Sequence, residues 1–212
     1  MDFPRSALER QLGDGVDALA LPLPADAPAR LLDYLALLAR WNRSFNLTAV
    51  REPRAMVTRH LLDSLAILPH VEGSSAADLG SGAGLPGIVL AIAAPERQWL
   101  LVDSNGKKAR FLRAAVRELG LGNVRVAQQR VEDVQGRFDC ITARAFASLP
   151  DMLAWGGHLL AADGVWLAMK GQRPDDELAA LPAGFALEAE TALAVPGLDA
   201  ARQLLTLRRA GA

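Results

Sequence analysis

Five residues spaced for ligand chemistry stand close together in the first half of this chain. Asp78, Gly80, Gly82 and Gly84 recur at every second position, and Leu85-Pro86-Gly87 follows directly. A short apolar stretch precedes the run and a longer one follows it, which predicts a strand-to-helix turn. Glycine lets the backbone turn sharply and admits a ligand where a Cβ would clash. Asp103 closes the next apolar stretch, Trp99-Leu100-Leu101-Val102. A carboxylate at that second strand end accepts hydrogen bonds from both hydroxyls of a ribose. The pattern therefore predicts a pocket for a nucleoside-containing ligand.

Two cofactor frames compete for the turn, beside a bland third reading in which the glycines bind nothing. Gly82-x-Gly84-x-x-Gly87 fits the dinucleotide fingerprint, with Asp103 near the expected offset of about 20 residues. Asp78 argues against it, because a carboxylate opposes a pyrophosphate. Pro86 argues against it as well, since it removes a backbone N–H where a phosphate needs donors. The alternative frame, Asp78-x-Gly80-x-Gly82-x-Gly84, resembles the first motif of Rossmann-like S-adenosylmethionine-dependent methyltransferases. That cofactor carries a sulfonium cation and no phosphate. Asp78 then helps position its methionine end, and Asp103 takes the ribose.

The elements that must hold these residues are legible from periodicity. Residues 1–72 read as an N-terminal helical extension. Leu31, Leu32, Leu35 and Leu38 form one stripe within Arg30 to Trp41, and Glu52 to Leu68 repeats the signal with Pro53 in its first turn. Residues 73–212 alternate. Strands are expected at Ala76–Leu79, Gln98–Val102, Val124–Ala127, Phe138–Thr142 and Val165–Met169. Helices are expected at Leu85–Ala93, Gly106–Leu119, Leu149–Leu160 and Asp175–Leu181. This rhythm implies an α/β, mostly parallel sheet with helices on both faces. Phe185–Ala189 and Gln203–Leu207 have no helix between them and read as antiparallel strands. A seven-stranded sheet results, and its antiparallel end is wrong for a second mononucleotide half.

Composition narrows the function classes. The chain has 212 residues, 51% of them hydrophobic, so a sizeable core is available. Cys140 is the one cysteine, which excludes a disulfide framework; it sits in an apolar run and reads as a buried thiol. The segment Met1 to Arg5 lacks the layout of a signal peptide, and the apolar runs are too short to span a bilayer, so a cytoplasmic protein that does not enter the membrane is expected. No His, Cys, Asp or Glu cluster has metal-ligand spacing. No coiled-coil signal is present, and a monomer is expected.

Net charge is −1, yet the charge is segregated. Arg40 to His60 holds five arginines and one acid, and Lys107 to Glu118 holds five basic residues and one acid. Arg110, Arg113 and Arg117 fall on one helix face, with Phe111, Leu112, Ala115 and Leu119 on the other. Such a stripe suits RNA phosphates, or it is simply a solvated face. Trp41 and Phe45 could stack on a base or pack in the core.

Further segments carry a more specific likeness. They are Trp41-Asn42…Asn46-Leu47-Thr48, Arg59-His60…Leu62-Asp63-Ser64, Asp78 to Gly87, Asp103-Ser104, Lys107…Arg110-Phe111-Leu112, Arg130-Val131-Glu132, Arg144 to Leu149 and Lys170-Gly171. Together they resemble the ribosomal RNA small-subunit methyltransferase G family, also called GidB-type, from about residue 30 to residue 175. The resemblance implies methylation of N7 of one guanine near the decoding centre of 16S rRNA, with S-adenosylmethionine as donor. It implies cofactor contacts at Gly80, Leu85, Ser104, Val131, Glu132 and Arg144, with Asp103 on the ribose. Guanine N7 has a free lone pair, so no general base is required and alignment carries the reaction. Arg144 and Asn46 are the expected catalytic residues. Arg43, Arg59, His60, Lys107, Arg110, Arg113, Arg117 and Lys170 are the expected RNA contacts. The mid-helix position of His60 favours a helix-packing role over an RNA contact, and Asn46 reads equally as a turn former. The alternatives are a methyltransferase acting on a non-RNA substrate and a non-catalytic nucleoside- or RNA-binding module.

Overall fold

The computed structural model describes residues 3–211; Met1, Asp2 and Ala212 lie outside the described residues, and with them the start of the segment read for a leader. Seven strands form one sheet in the order β3-β2-β1-β4-β5-β7-β6. β1 (Ser75–Leu79), β2 (Gln98–Val102), β3 (Val124–Ala127), β4 (Phe138–Arg144) and β5 (Leu160–Lys170) run parallel. β7 (Gln203–Arg209) pairs antiparallel with β5, and β6 (Phe185–Ala192) antiparallel with β7. The strand order reverses between β1 and β4, so a crevice opens at their carboxyl ends, where such sheets bind ligands.

Helices cover both faces. α1 (Arg5–Ala18), α2 (Ala27–Phe45), α5 (Gly87–Ala93) and α6 (Gly106–Glu118) contribute to one apolar cluster that runs unbroken from Leu8 through Leu35 to Ile88 and Phe111. α7 (Leu149–Gly156) covers the opposite face through Leu149 and Met152 against Ile141 and Trp166. Each fully buried Leu or Phe contributes about 1.5–3 kcal/mol, so the leucine stripe of α2 is enough to dock it. Pro28 sits in the first turn of α2, and Asn46 ends it in a left-handed conformation with φ +48°. Cys140 is fully buried and burial pushes its thiol up to about 12.

The third helical stretch is compound. Glu52 caps α3 (Pro53–Met56), accepting from the Arg54 and Ala55 N–H groups at 2.9 and 2.6 Å. The chain then widens into a π-helical turn, Val57–Leu62, before α4 (Asp63–Leu65). A 3.6-residue periodicity reads straight through this turn, so the sequence pattern does not disclose it.

Other boundaries differ for local reasons. α1 was not separately expected: its stripe is thin, and Gly15 is buried where a Cβ would lie 2.5 Å from Leu62 Cδ1. α5 begins at Gly87 rather than Leu85, because Pro86 caps it and the preceding residues complete the turn. α7 stops at Gly156, not Leu160, and β5 starts there instead of at Val165. Asp163-Gly164 hides that start, although at Gly164 the strand passes so close to β4 that a Cβ would meet Phe138 O at 3.0 Å. The acidic helix α8 spans only Asp175–Ala179. β4 runs on through Arg144, which pairs with Met169, so Arg144 closes the strand rather than following it.

Candidate functional site

The glycine turn sits at the carboxyl end of β1. Gly80 and Gly82 adopt φ +70° and +57°, a region side chains rarely enter. At Gly82 a Cβ would clash with nothing, its nearest neighbours being Gly80 O at 3.8 Å and Lys108 Nζ at 4.0 Å. Its absence keeps a cradle clear beside Asp103. The Gly84 requirement is different, since a Cβ there would meet Ile88 at 2.5 Å. Tyr34 of α2 fixes the turn from beneath: its fully buried hydroxyl donates to Ala83 O at 2.7 Å.

Asp103 is 7% exposed. Its Oδ2 accepts from Gly82 N–H at 2.9 Å and its Oδ1 from Asn105 N–H at 2.8 Å, with Lys108 Nζ at 3.8 Å. Each carboxylate oxygen accepts more than one bond, so Asp103 remains able to take ribose hydroxyls. It lines a cavity of about 280 Å³ with Gly80, Ser104, Val131 and Glu132. Lys108, Phe146 and Trp155 complete the wall. Phe146 lies over Gly80, where a Cβ would come within 2.3 Å of its ring, and meets Trp155 edge-on at 5.7 Å.

Asp78 stands elsewhere than the charge argument expects. It has no exposed surface; its Oδ1 accepts from Thr142 Oγ1 at 2.9 Å and its Oδ2 from Gly87 N–H at 3.1 Å. It ties β1 to β4 and to the start of α5. Burial raises its carboxyl to about 6. Leu85 is 5% exposed and packs in the core.

A second cavity, of about 420 Å³, opens beyond Ala145, which lines both. Arg144, Arg59, His60 and Lys170 meet there. Sequence reasoning missed two further members, Asp63 and Arg202. Asp63 lay inside a matched segment with no role attached, and Arg202 lies beyond the segments that carry the resemblance. His60 is buried, with Nε2 at 2.9 Å from Thr48 Oγ1, and burial aided by the Arg144 charge lowers its imidazole to about 4. Lys170 Nζ pairs with Glu177 at 2.7 Å.

Lys107, Arg110, Arg113 and Arg117 line one groove on the exposed side of α6, with Trp41 and Gln128. Trp41 packs edge-on against Phe111 at 5.7 Å and lies tilted against Phe45 at 4.9 Å. Arg43 lines a separate hollow with Arg51 between α2 and α3. Asn46 enters neither cavity; its Oδ1 accepts from Arg51 Nη2 at 2.9 Å. Among the described residues no helix is long and apolar enough to cross a membrane.

Comparison with known proteins identifies the family. The sequence profile described as rRNA small subunit methyltransferase G, GidB, matches residues 28–206. The chain is 56% identical over 205 residues to "Ribosomal RNA small subunit methyltransferase G" of Stenotrophomonas maltophilia, covering 95% of this chain and 93% of that one. It is 54% identical over 202 residues to the protein of the same name from Marinobacter nauticus, covering 94% of each. Among solved structures, ribosomal protein L11 methylase from Lactobacillus delbrueckii subsp. bulgaricus superposes with a TM-score of 0.53 at 22% identity, over 70% of this chain and 76% of that one, a likeness of fold. With a profile match across most of its length and relatives above half identity from end to end, the chain belongs to the rRNA small subunit methyltransferase G (GidB) family.

Proposed function

We infer that the protein is a 16S rRNA methyltransferase that uses S-adenosylmethionine to methylate N7 of a guanine. One observation carries the reading: a nucleoside-sized cavity ending in Asp103 and a cation-rich cavity ending in Arg144 share a single dividing residue, Ala145. The residues present fit the cofactor. Gly82 would leave room for its chain, Asp103 would accept from its ribose hydroxyls, and Val131 with Glu132 would hold its adenine end. When bound, S-adenosylmethionine supplies a methyl group on a cationic sulfur.

The protein's part is then alignment and charge. Guanine N7 needs no deprotonation before it attacks, so no side chain has to act as a base. Holding the two reactants in line contributes up to roughly 7–11 kcal/mol. Positive charge grows on the guanine ring during transfer, which favours nearby acceptors and aromatic faces over a fixed cation at N7. Phe146 and Trp155 stand in the wall of the Asp103 cavity. The groove of Lys107, Arg110, Arg113 and Arg117 supplies sequence-independent attraction for the RNA backbone.

Mapping N7-methylguanine in 16S rRNA from cells with and without this protein tests the reading. The modification is expected to vanish at one guanine and to return when the purified protein and S-adenosylmethionine are added to unmodified RNA or subunits. An unchanged modification pattern refutes it.

A further inference from the structure

Asp63 stands at the end of the π-helical turn, whose wider spacing places Arg59, His60 and Asp63 at the edge of one cavity. Its carboxylate is 2% exposed and bridges two guanidinium groups brought from distant parts of the chain. Oδ2 accepts from Arg144 Nη1 at 2.9 Å, and Oδ1 accepts from Arg202 Nε at 2.7 Å. Arg144 Nη1 also donates to Arg59 O at 3.2 Å, and Arg202 Nη1 to Ala201 O at 2.9 Å. Among the described residues, Arg144 Nε and Nη2 and Arg202 Nη2 have no acceptor. Both arginines line the second cavity.

We propose that Asp63 is a positioning residue: it clamps Arg144 and Arg202 side by side, so that their remaining N–H groups form one preset fork for a phosphodiester of the RNA next to the reacting base. The inference rests on the RNA-methyltransferase reading. The chemistry of the wall selects phosphate over a base edge. A guanine that turns N7 towards the methyl donor presents N1–H and N2–H donors on its opposite edge, and these need acceptors, while the Asp63 carboxylate is 2% exposed and shielded by the two guanidinium groups it holds. A phosphate presents acceptors alone, and guanidinium N–H groups match its geometry in pairs. A guanidinium held by a buried carboxylate is also already ordered before the RNA arrives, so less side-chain freedom is lost on binding.

The test measures binding of a 16S rRNA transcript against salt concentration, with methyl-donor affinity followed by calorimetry. Asp63→Asn removes a negative charge. If Asp63 acts through charge alone, the variant binds RNA more tightly and with a steeper salt dependence. Positioning gives the opposite sign: affinity falls about tenfold, and the log–log salt slope becomes shallower by about one contact, roughly 0.7–0.9. Arg202→Gln is expected to do the same while its methyl-donor affinity stays within about twofold of wild type. The double variant is expected to match Arg202→Gln rather than the product of the two losses, and Asp63→Glu, which keeps both acceptors, to recover part of the binding. Tighter binding by Asp63→Asn, or an unchanged slope in Arg202→Gln, overturns the proposal. Should Asp63→Asn fail to fold, Arg202→Lys decides: a fork requires it to resemble Arg202→Gln, and wild-type binding refutes the fork. Failure of the wild-type protein to bind the methyl donor would instead overturn the function on which the proposal rests.

Discussion

Asp78→Asn separates the cost of a buried charge from the value of its contacts. Burial lifts the Asp78 carboxyl from 3.8 to about 6, against the opposing pull of Ser81, Thr142, Gly87 and Arg144. Between those two values folding takes up a proton. Above pH 6 the ionised form is buried, and two units of displacement cost roughly 3 kcal/mol of stability. That cost fades as pH falls from 6 towards 4. His60 runs the other way: burial, then the Arg144 charge, lowers it from 6.5 to about 4. Its stabilising share is whole above pH 6.5 and is lost as pH falls to about 4, again roughly 3 kcal/mol. In the wild type the two trends offset. Asparagine keeps the shape of Asp78, with its carbonyl facing Gly87 N–H and its amide donating to Thr142 Oγ1, which can turn to accept. The variant is therefore expected to be more stable than wild type by up to about 3 kcal/mol at pH 7, with the gap closing towards pH 4. Urea unfolding of both proteins at pH 7, 6, 5 and 4 measures it, and subtraction removes every other titrating group. A gap that stays constant across this range refutes the burial argument.

Four further outcomes are expected. Gly82→Val fills the open cradle, so calorimetry should register no S-adenosylmethionine binding while circular dichroism remains that of a folded protein. Asp103→Ala should weaken methyl-donor binding by about 1.5–3 kcal/mol, the scale of hydrogen bonds to a charged group. Tyr34→Phe strips Ala83 O of its buried donor and should lower the unfolding free energy by about 1–3 kcal/mol in denaturant titrations. Arg110→Glu combined with Arg117→Glu should weaken 16S rRNA binding and flatten its salt dependence without altering methyl-donor affinity, as filter binding over a salt series would show.

The sheet was legible because its signals are local. Apolar runs ending in Asp78 and Asp103 mark β1 and β2, and the missing helix between Phe185 and Gln203 marks the antiparallel end. The cavity beside Asp103 was legible in part for the same reason, since Gly80 and Asp103 lie at strand ends; Val131 and Glu132, which line it too, were indicated only by the family resemblance. What stayed hidden depends on distance in the chain or on an irregular helix. Arg202 reaches Asp63 across 139 residues. The π-helical turn changes which side chains share a face without leaving a mark in the spacing. Asp78 shows that charge logic alone misplaces a residue: its type suggested a ligand contact, and the fold buries it completely against Thr142 and Gly87. Gly84, next to the cradle, serves the packing of Ile88 and Leu112 rather than open space.

The separation of the α6 groove from the acidic surface of α8 has a practical consequence at the bench. A formal charge of −1 suggests indifference to ion exchangers. A molecule with Lys107, Arg110, Arg113 and Arg117 along one groove and Asp175, Asp176 and Glu177 on another helix, partly offset there by Arg173 and Lys170, presents two surfaces of different charge to a resin. It should be retained on heparin at low ionic strength and also on a quaternary-amine column. Nucleic acid carried through purification will mask the first behaviour before it disturbs the second.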